Sequence, residues 1–244
     1  MTTPAPRFHC PITLSENTEI VLPEAAAHHA VRVLRLEAGD AVALFDGAGG
    51  EYAASIVAIG KTVTVAIGAH RAVERESPLD ITLAQALASH DKMDWIVQKA
   101  VELGVTRIQP LLAARSVSRP RDERAAKRIA HWQAVAIGAC EQCGRNRVPE
   151  VLQVGSFDDA LTRYGAALKL ALAPGDAGTL AALGAPRQPM VLFVGPEGGF
   201  SEAETAAMRS VQCEFVRLGP RVLRTETAGM AALAAIQALW GDLK

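Results

Sequence analysis

Two loops rich in glycine and proline near the C-terminus constrain the fold more than any other feature of this sequence. The first, Gly195-Pro-Glu-Gly-Gly199-Phe, follows the apolar run 190–194, and the second, Gly219-Pro-Arg-Val-Leu-Arg224, follows the run 215–218. Each run fits a buried strand, and a helix-forming stretch follows each loop. Ligands of open α/β sheets bind where the carboxyl ends of strands meet such loops. The sequence therefore predicts a pocket walled largely by backbone, whose N–H and C=O groups can bind a small polar ligand.

The first loop carries residues that its conformation would require. Gly195, Gly198 and Gly199 permit positive φ angles or a close approach of the backbone to a ligand. Ser201 and Glu204 form the S-x-x-E pattern of a capping box, so a helix is predicted to begin there. A tight strand-to-helix connection without any ligand would explain the same features.

The second loop and three charged residues favour a binding site over that simpler interpretation. They are Glu197, Arg224 and Glu226. The sequence contains neither the G-x-x-x-x-G-K-[ST] phosphate loop nor the G-x-G-x-x-G dinucleotide pattern. A ligand held mainly by backbone, without a phosphate-binding loop, points to a neutral or zwitterionic adenosine-type cofactor.

The pattern along the chain predicts two domains. Residues 1–72 contain short alternating strands at 19–22, 40–45, 51–59 and 62–67, and one helix at 24–36, as in a small β-barrel. That helix is predicted to turn Ala27, Val31 and Leu34 toward the core. The second predicted domain, residues 73–244, begins within a polar linker at 71–78. After this linker strands and helices alternate, which predicts a mostly parallel sheet covered by helices. The predicted strands are 79–87, 107–113, 167–173, 190–195 and 213–218, and the helices are 91–103, 122–143, 156–164, 201–210 and 226–240.

Charge is distributed unevenly along the chain. The net charge is −1, yet residues 107–147 hold nine Arg or Lys against three acids, a local excess of +6. A basic segment of this kind suits a phosphate backbone, although a solvated helix face is the commoner meaning of a charge run. Arg32 and Arg35 beside His28, and Lys92 with Lys99, form further basic stripes with the same two interpretations.

The cysteines and the hydropathy indicate a reduced protein outside the membrane. Cys140 and Cys143 form a C-x-x-C pair, but no second Cys/His pair stands at ligand spacing, so no metal site is predicted. The other two are Cys10 and Cys213. No apolar run approaches the roughly 20 residues of a membrane helix, and the N-terminal segment lacks a secretory apolar core. We expect a soluble cytoplasmic protein.

Motifs spread over nearly the whole chain resemble those of the bacterial 16S rRNA uracil-N3 methyltransferases, in the knotted SPOUT class of S-adenosylmethionine enzymes. The last two segments, Gly195–Ser201 and Leu218–Ala228, are the most diagnostic. Gly229-Met230 departs from the bulkier or alanine-type pair expected there. The matching elements are Arg7-Phe8, His29-x-x-x-Val33-Leu34-Arg35, Gly39-Asp40, Lys92, Gln98-Lys-Ala-Val-Glu-Leu-Gly-Val105, Arg115-Ser116, Glu141-Gln-x-x-Arg145-x-x-x-Pro149 and the two glycine-containing segments.

The resemblance implies the α/β fold class, with an N-terminal PUA-like RNA-binding β-barrel (1–72) and a C-terminal trefoil-knotted methyltransferase domain (73–244). General rules of chain connection make knots almost absent, so the knot comes from the resemblance alone. The resemblance also implies a homodimer with the active site between subunits and a cofactor, S-adenosyl-L-methionine, held in a bent shape. Its expected binding residues are Leu192, Gly195, Glu197, Gly199, Leu218, Gly219 and Leu223.

The implied reaction is methylation of N3 of one uridine in 16S rRNA of the 30S subunit. No metal is needed because the leaving group is a neutral thioether. N3 must lose its proton, so Glu226 or Glu197 is expected to accept it, and Arg224 to stabilise the uracil anion. For Glu226, an acid that complements the helix dipole is an equally good interpretation. The residues expected to bind RNA are Arg7, His29, Arg32, Arg35, Lys92, Lys99, Arg115, Arg119 and Arg145.

Two other functions fit parts of the sequence. A different SPOUT reaction, such as ribose 2′-O-methylation, would use the same loops. A non-catalytic RNA-binding module would keep the fold but fail to bind the cofactor, and the intact loops count against it.

Overall fold

A computed structural model of the chain describes residues 5–116, 122–175 and 177–244. Contacts divide the chain into two compact units. The first comprises residues 1–76 with 140–148, and the second comprises residues 77–139 with 149–244. The boundary expected at residues 72 and 73 stays a prediction, and the grouping of residues 140–148 with the first unit was not predicted.

The first unit is built on a five-stranded sheet with the strand order β1-β3-β4-β5-β2. Buried and more exposed positions alternate in β1, β2 and the first part of β5, whereas β3 is buried over 42–45. Phe8, Leu44, Ile56 and Val65 form the centre of its core. The strand β1 was not predicted. The strands are β1 Arg7–His9, β2 Glu19–Val21, β3 Ala41–Phe45, β4 Glu51–Ile59 and β5 Val63–Arg71.

The helix of the first unit differs from its prediction at its C-terminal end. The α-helix α1 spans Glu24–His28 and continues as a π-helix over His29–Val33. A π turn contains more residues than an α turn, so the positions after His29 rotate away from the predicted face. Leu34 is consequently 41 % exposed, and its predicted core position is wrong, whereas Ala26 and Ala30 are buried. Arg35 ends the segment with φ at +57°.

Residues 140–148 are fixed to the first unit by polar contacts. Arg145 is 4 % exposed, and its Nε donates to Glu76 Oε2 at 3.0 Å. Arg7 donates to the Arg145 carbonyl at 3.0 Å and to Asn146 Oδ1 at 2.6 Å. These hydrogen bonds make the segment a structural part of this unit, although the buried Nε atom of Arg7 has no partner among the described residues.

The second unit contains an eight-stranded sheet in which every recorded pairing is parallel. The order is β11-β13-β10-β12-β6-β7-β8, with β9 also paired to β7. The central strands β6 and β12 are buried along their whole length, as continuous apolar strands of a parallel sheet should be. The strands are β6 Ile81–Ala86, β7 Arg107–Leu112, β8 Glu150–Val151, β9 Gly155–Ser156, β10 Leu168–Leu172, β11 Gly178–Thr179, β12 Met190–Val194 and β13 Glu214–Arg217.

The helices of the second unit lie close to their predicted positions. The two-residue strands β8, β9 and β11 were not predicted, since such short pairings leave no periodic signal. The helices are α2 His90–Glu102, α3 Asp122–Cys143, α4 Phe157–Arg163, α5 Glu202–Ser210 and α6 Thr225–Trp240. The last turn of α3 is grouped with the first unit.

The sheet order places three strand ends side by side. The strand β10 lies between β12 and β13, and all three run parallel. Their carboxyl ends therefore meet at one edge of the sheet. The helix α6 starts beside the loop after β12, because Thr225 Oγ1 donates to the Gly195 carbonyl at 2.6 Å.

Three further features bear on the predicted class of protein. No described helix has the length and apolar character needed to cross a membrane. The four cysteines are free thiols, and burial raises the pKa of Cys10, Cys140 and Cys213 to about 12. Within residues 5–116, 122–175 and 177–244 no group of three or more His, Cys, Asp or Glu residues is arranged to hold a metal ion.

Candidate active site

A cavity of about 490 Å³ lies at the carboxyl edge of β10, β12 and β13. Its size is within the usual range of small-molecule sites. Three loops form most of the wall, and two of them are the glycine-containing loops that the sequence singled out. The wall consists of Lys92, Ala228 and the segments 172–174, 194–200, 216–219 and 221–225.

The loop after β12 is packed so closely that its glycines are required. A Cβ atom at Gly195 would lie 3.3 Å from both the Gly199 Cα and the Phe200 N atoms. Gly199 has φ at +67°, a backbone conformation that residues other than glycine rarely adopt. This wall therefore presents main chain to the cavity.

Replacing Gly195 with alanine is expected to weaken cofactor binding by about 10- to 100-fold, because overpacking of a close contact costs about 1–3 kcal/mol. The added methyl group would push main chain rather than a flexible side chain. Calorimetric titration with S-adenosylmethionine measures the loss. Gly184→Ala is the matched control, since a Cβ there meets nothing within 4 Å. Equal affinity of the Gly195→Ala and wild-type proteins would contradict this account of the wall.

The capping box predicted at the start of α5 is confirmed. Ser201 Oγ accepts from the Glu204 N–H at 3.2 Å, and the Glu204 carboxylate accepts from the Ser201 N–H at 2.7 Å. The other oxygen of Glu204 accepts from the Ala114 N–H at 2.7 Å. Arg115 donates to the Gly198 carbonyl at 2.8 Å. The residues that follow β7 thus contact the loop after β12 and the start of α5 from outside the cavity.

Lys92 and Glu197, two charged residues of the cavity wall, meet Glu226, which lies beside the wall but is not part of it. Lys92 Nζ lies 3.0 Å from Glu197 Oε1 and 3.3 Å from Glu226 Oε2. Lys92 belongs to the first turn of α2, Glu197 to the loop after β12, and Glu226 to the first turn of α6. The Glu226 Oε2 atom is buried and makes no hydrogen bond of good geometry within the described chain. The sequence nominated all three residues but placed Lys92 in a different role, as an RNA contact.

The pKa values reflect this arrangement. The hydrogen bond to Glu197 raises the pKa of Lys92 above its ordinary value, and Glu226 acts in the same direction. Burial raises the pKa of Glu197, but its hydrogen bonds with its own backbone N–H and with Lys92 outweigh burial, so this pKa lies below its ordinary value. Lys92 and Glu197 are therefore charged at neutral pH.

A hydrogen-bond chain connects the start of α6 to the sheet. Gln85 Nε2 donates to Thr225 Oγ1 at 3.0 Å, and Thr225 Oγ1 donates to the Gly195 carbonyl at 2.6 Å. Gly229 packs beside it, where a Cβ would lie 3.5 Å from Val194 and 3.6 Å from Gln85. These are ordinary contact distances, so the glycine at this departure from the family pattern relieves no clash.

Most residues predicted to bind the cofactor lie on the cavity wall. Leu192 does not: it is fully buried in the middle of β12, and the wall begins only at Val194, where the strand ends. Those on the wall are Gly195, Glu197, Gly199, Leu218, Gly219 and Leu223. Segment 172–174 was missed, although Ala173-Pro174-Gly175 follows a predicted strand in the same way as the other two loops.

Arginines line the wall that follows β13. Arg224 was predicted, whereas Arg217 and Arg221 were not. All three are exposed, and none forms an ion pair within the part of the chain that the structure describes. Val222 beside them is 81 % exposed. This part of the wall offers positive charge to an anionic ligand.

The residues predicted to bind RNA fall into two groups. Arg32 and Arg35 are exposed, and His29 is partly exposed with its Nδ1 atom 3.9 Å from Glu141 Oε2. Arg7 and Arg145 form ion pairs of the first unit with Glu51 and Glu76. Their assignment to RNA stays a prediction, and these ion pairs give both side chains a structural role.

The remaining predicted RNA contacts also have defined places. Lys99 pairs with Glu102 at 2.7 Å within α2. Lys92 and Arg115 contact the loop after β12, at Glu197 and Gly198. Arg119 lies outside the described residues.

Two family models match the chain. An RNA methyltransferase domain matches residues 75–237, and an RNA methyltransferase PUA domain matches residues 22–67. These matches define the class as RNA methyltransferases that carry a PUA domain.

Relatives and solved structures narrow this class. The Ribosomal RNA small subunit methyltransferase E of Bacillus subtilis (strain 168) is 36 % identical over 86 % of this chain and 86 % of the relative. That of Neisseria gonorrhoeae, solved bound to S-adenosyl methionine, is 41 % identical with a TM-score of 0.92, covering 98 % of this chain and 100 % of that one. A Legionella pneumophila protein in complex with the same cofactor is 39 % identical with a TM-score of 0.96, over 99 % and 100 % of the two chains.

The chain belongs to the ribosomal RNA small subunit methyltransferase E family. The predicted family is confirmed, and so is the α/β fold class with a PUA domain and an RNA methyltransferase domain. The trefoil knot and the SPOUT class stay predictions.

Proposed function

We propose that the protein transfers a methyl group from S-adenosylmethionine to N3 of one uridine in 16S rRNA of the small ribosomal subunit. The observation that carries the proposal is the backbone-walled cavity at the edge of β10, β12 and β13, in a chain of the RNA methyltransferase family. The cavity wall also carries acidic and basic side chains that can contact the cofactor and the uracil.

The cavity fits the cofactor in size and in chemistry. The Gly195 position, where a Cβ would make a tight contact of 3.3 Å with main chain, leaves a wall of N–H and C=O groups for the polar ends. Val194, Leu218 and Leu223 supply apolar side chains for the adenine and the methylene groups. When bound, S-adenosylmethionine supplies a methyl group on a positively charged sulfur, and the leaving thioether is neutral.

The carboxylates supply the proton acceptor that the uracil requires. N3 becomes a good nucleophile only when its N–H bond breaks, and the proton moves to a carboxylate oxygen of Glu226 or Glu197. The Arg224 guanidinium stabilises the negative charge that develops on the uracil oxygens. N3 lies on the Watson–Crick edge, so the target base must be unpaired or flipped out to enter the cavity.

Exposed arginines of each unit are proposed as RNA contacts. Arg32 and Arg35 of the first unit are exposed. In the second unit, Arg217 and Arg221 are exposed and line the cavity wall. Contacts of this kind position the RNA backbone, and their number sets the salt dependence of binding. We also propose that the enzyme acts in the bacterial cytoplasm, where the ribosomal subunit is found.

A homodimer is part of the proposal. Trp95 of α2 and Leu239 of α6 are large apolar side chains exposed on two helices of the second unit, and Leu243 follows α6 with the same exposure. A second copy of the chain would remove this apolar surface from water. Sedimentation of the purified protein measures the oligomeric state.

Mapping the methylated nucleotide tests the proposed reaction. Small subunits that lack the modification, and free 16S rRNA, are incubated with labelled S-adenosylmethionine, and mass spectrometry locates the label. Label on N3 of a single uridine supports the proposal. Label on a ribose 2′-oxygen would assign the alternative SPOUT reaction, and cofactor binding without transfer to either RNA would contradict the proposal.

A further inference from the structure

Lys92 lies next to two negatively charged groups, an environment that does not favour binding of an RNA phosphate. Its ammonium group lies within ion-pair distance of two carboxylates, Glu197 at 3.0 Å and Glu226 at 3.3 Å. These residues lie 105 and 134 positions away in the sequence, on separate elements. A phosphate approaching this ammonium group would also approach two negative charges.

We propose that Lys92 is a positioning residue that holds two charged carboxylates together, Glu197 on the cavity wall and Glu226 beside it. This inference rests on the proposed function, because it concerns the groups that accept the N3 proton. Only a deprotonated carboxylate can accept that proton, and the Lys92 ammonium group favours this form of the acceptor.

The physical reason is the balance of charge among these three side chains, one cation and two acids. Two carboxylates that share one site disfavour the ionisation of each other, and a cation between them favours it. Lys92 is one ammonium group for two acids, and it contacts both. Without it, one of the two carboxyl groups would keep its proton to a higher pH.

Other groups around Glu197 act in the same direction as Lys92. Glu197 also accepts hydrogen bonds from its own backbone N–H and from the Ser89 N–H, which favour its charged form. Arg217, Arg221 and Arg224 line the same cavity, and Arg115 contacts the Gly198 carbonyl behind the loop. Within the described residues, none of these four arginines forms an ion pair with Glu197 or Glu226. Their charge is present in every variant of the test below.

The test compares Lys92→Met, Lys92→Arg and Lys61→Met. Methionine keeps the length of the side chain and removes the charge, whereas arginine keeps the charge. Lys61 is an exposed lysine that does not line the cavity, so it is the control for the loss of one positive charge. Each protein carries ¹³C-labelled glutamate, and the side-chain carboxyl signals are titrated by NMR. Glu197→Gln and Glu226→Gln assign the two signals, and thermal melting confirms that each variant is folded.

In Lys92→Met the Glu197 carboxyl titration is expected to move to higher pH by about one unit, because the neighbouring cation is removed. The acid limb of the kcat/KM profile moves with it. Lys92→Arg restores both, and Lys61→Met leaves both in place. Unchanged carboxyl titrations in a folded Lys92→Met protein would overturn the inference. So would a loss confined to a higher KM for RNA and a weaker salt dependence, which would return Lys92 to the role of a phosphate contact.

The two proposals fail in different ways in this experiment. If the carboxyl titrations move but the acid limb of kcat/KM stays, Lys92 positions the pair and neither glutamate accepts the proton. If neither moves, the role of Lys92 is wrong whatever the reaction is.

Discussion

Replacing Glu226 with glutamine is expected to lower kcat by about 10²- to 10⁴-fold, the usual contribution of a positioned general base. Glutamine has almost the same shape but cannot accept a proton from N3. Glu226 stands in the first turn of α6, and its Oε2 atom lies 3.3 Å from Lys92. Because this side chain contributes little to the cavity wall, the affinity for S-adenosylmethionine should stay close to that of the wild type.

Single-turnover methylation with saturating cofactor and RNA measures the effect. Glu202→Gln is the control, since Glu202 also lies in the first turn of a helix, α5, but is exposed and outside the cavity. If Glu226 only complements the helix dipole, both substitutions would change stability by about 0.3–1 kcal/mol and leave kcat intact. Near-normal kcat in both Glu226→Gln and Arg224→Ala would exclude the assigned base and its neighbour.

The loops of the site were predictable because their signals are local. Gly195, Gly199 and the Ser201–Glu204 capping box are conformational requirements of adjacent residues, and the structure shows each of them in place. Alternation of strands and helices likewise predicted the sheet of the second unit. What local patterns cannot give is the strand order, which sets β10 between β12 and β13 and so forms the cavity.

The contacts of charged residues were the least predictable part. The sequence offered Lys92, Glu197 and Glu226 as separate candidates, and only the fold brings their charged atoms together. A local excess of basic residues says nothing about burial either. Arg145 belongs to the basic segment, yet its partner is Glu76 of the preceding linker, 69 positions away. The π turn after His29 is a similar case, because its extra residue leaves no compositional signal.

Replacing Arg145 with methionine is expected to lower the free energy of unfolding by about 3–5 kcal/mol, because it leaves the charge of Glu76 without its partner in a largely buried place. The two side chains are 5 % and 19 % exposed. Chemical denaturation monitored by circular dichroism measures the loss. Arg147→Met is the matched control: Arg147 is two residues away, 57 % exposed and paired at 3.6 Å with Glu74, so its loss should cost at most about 1 kcal/mol.

A second variant separates a structural role of Arg145 from RNA binding. In Arg145→Met/Glu76→Leu both charges are gone, and much of the stability should return, since the cost lies in the uncompensated charge rather than in the absence of the pair. An RNA-binding arginine would behave differently. Its replacement would leave the unfolding curve unchanged, weaken RNA binding and reduce the salt dependence of the affinity by about one counterion. That outcome would restore the sequence-based assignment of Arg145 and would make its ion pair with Glu76 dispensable for folding.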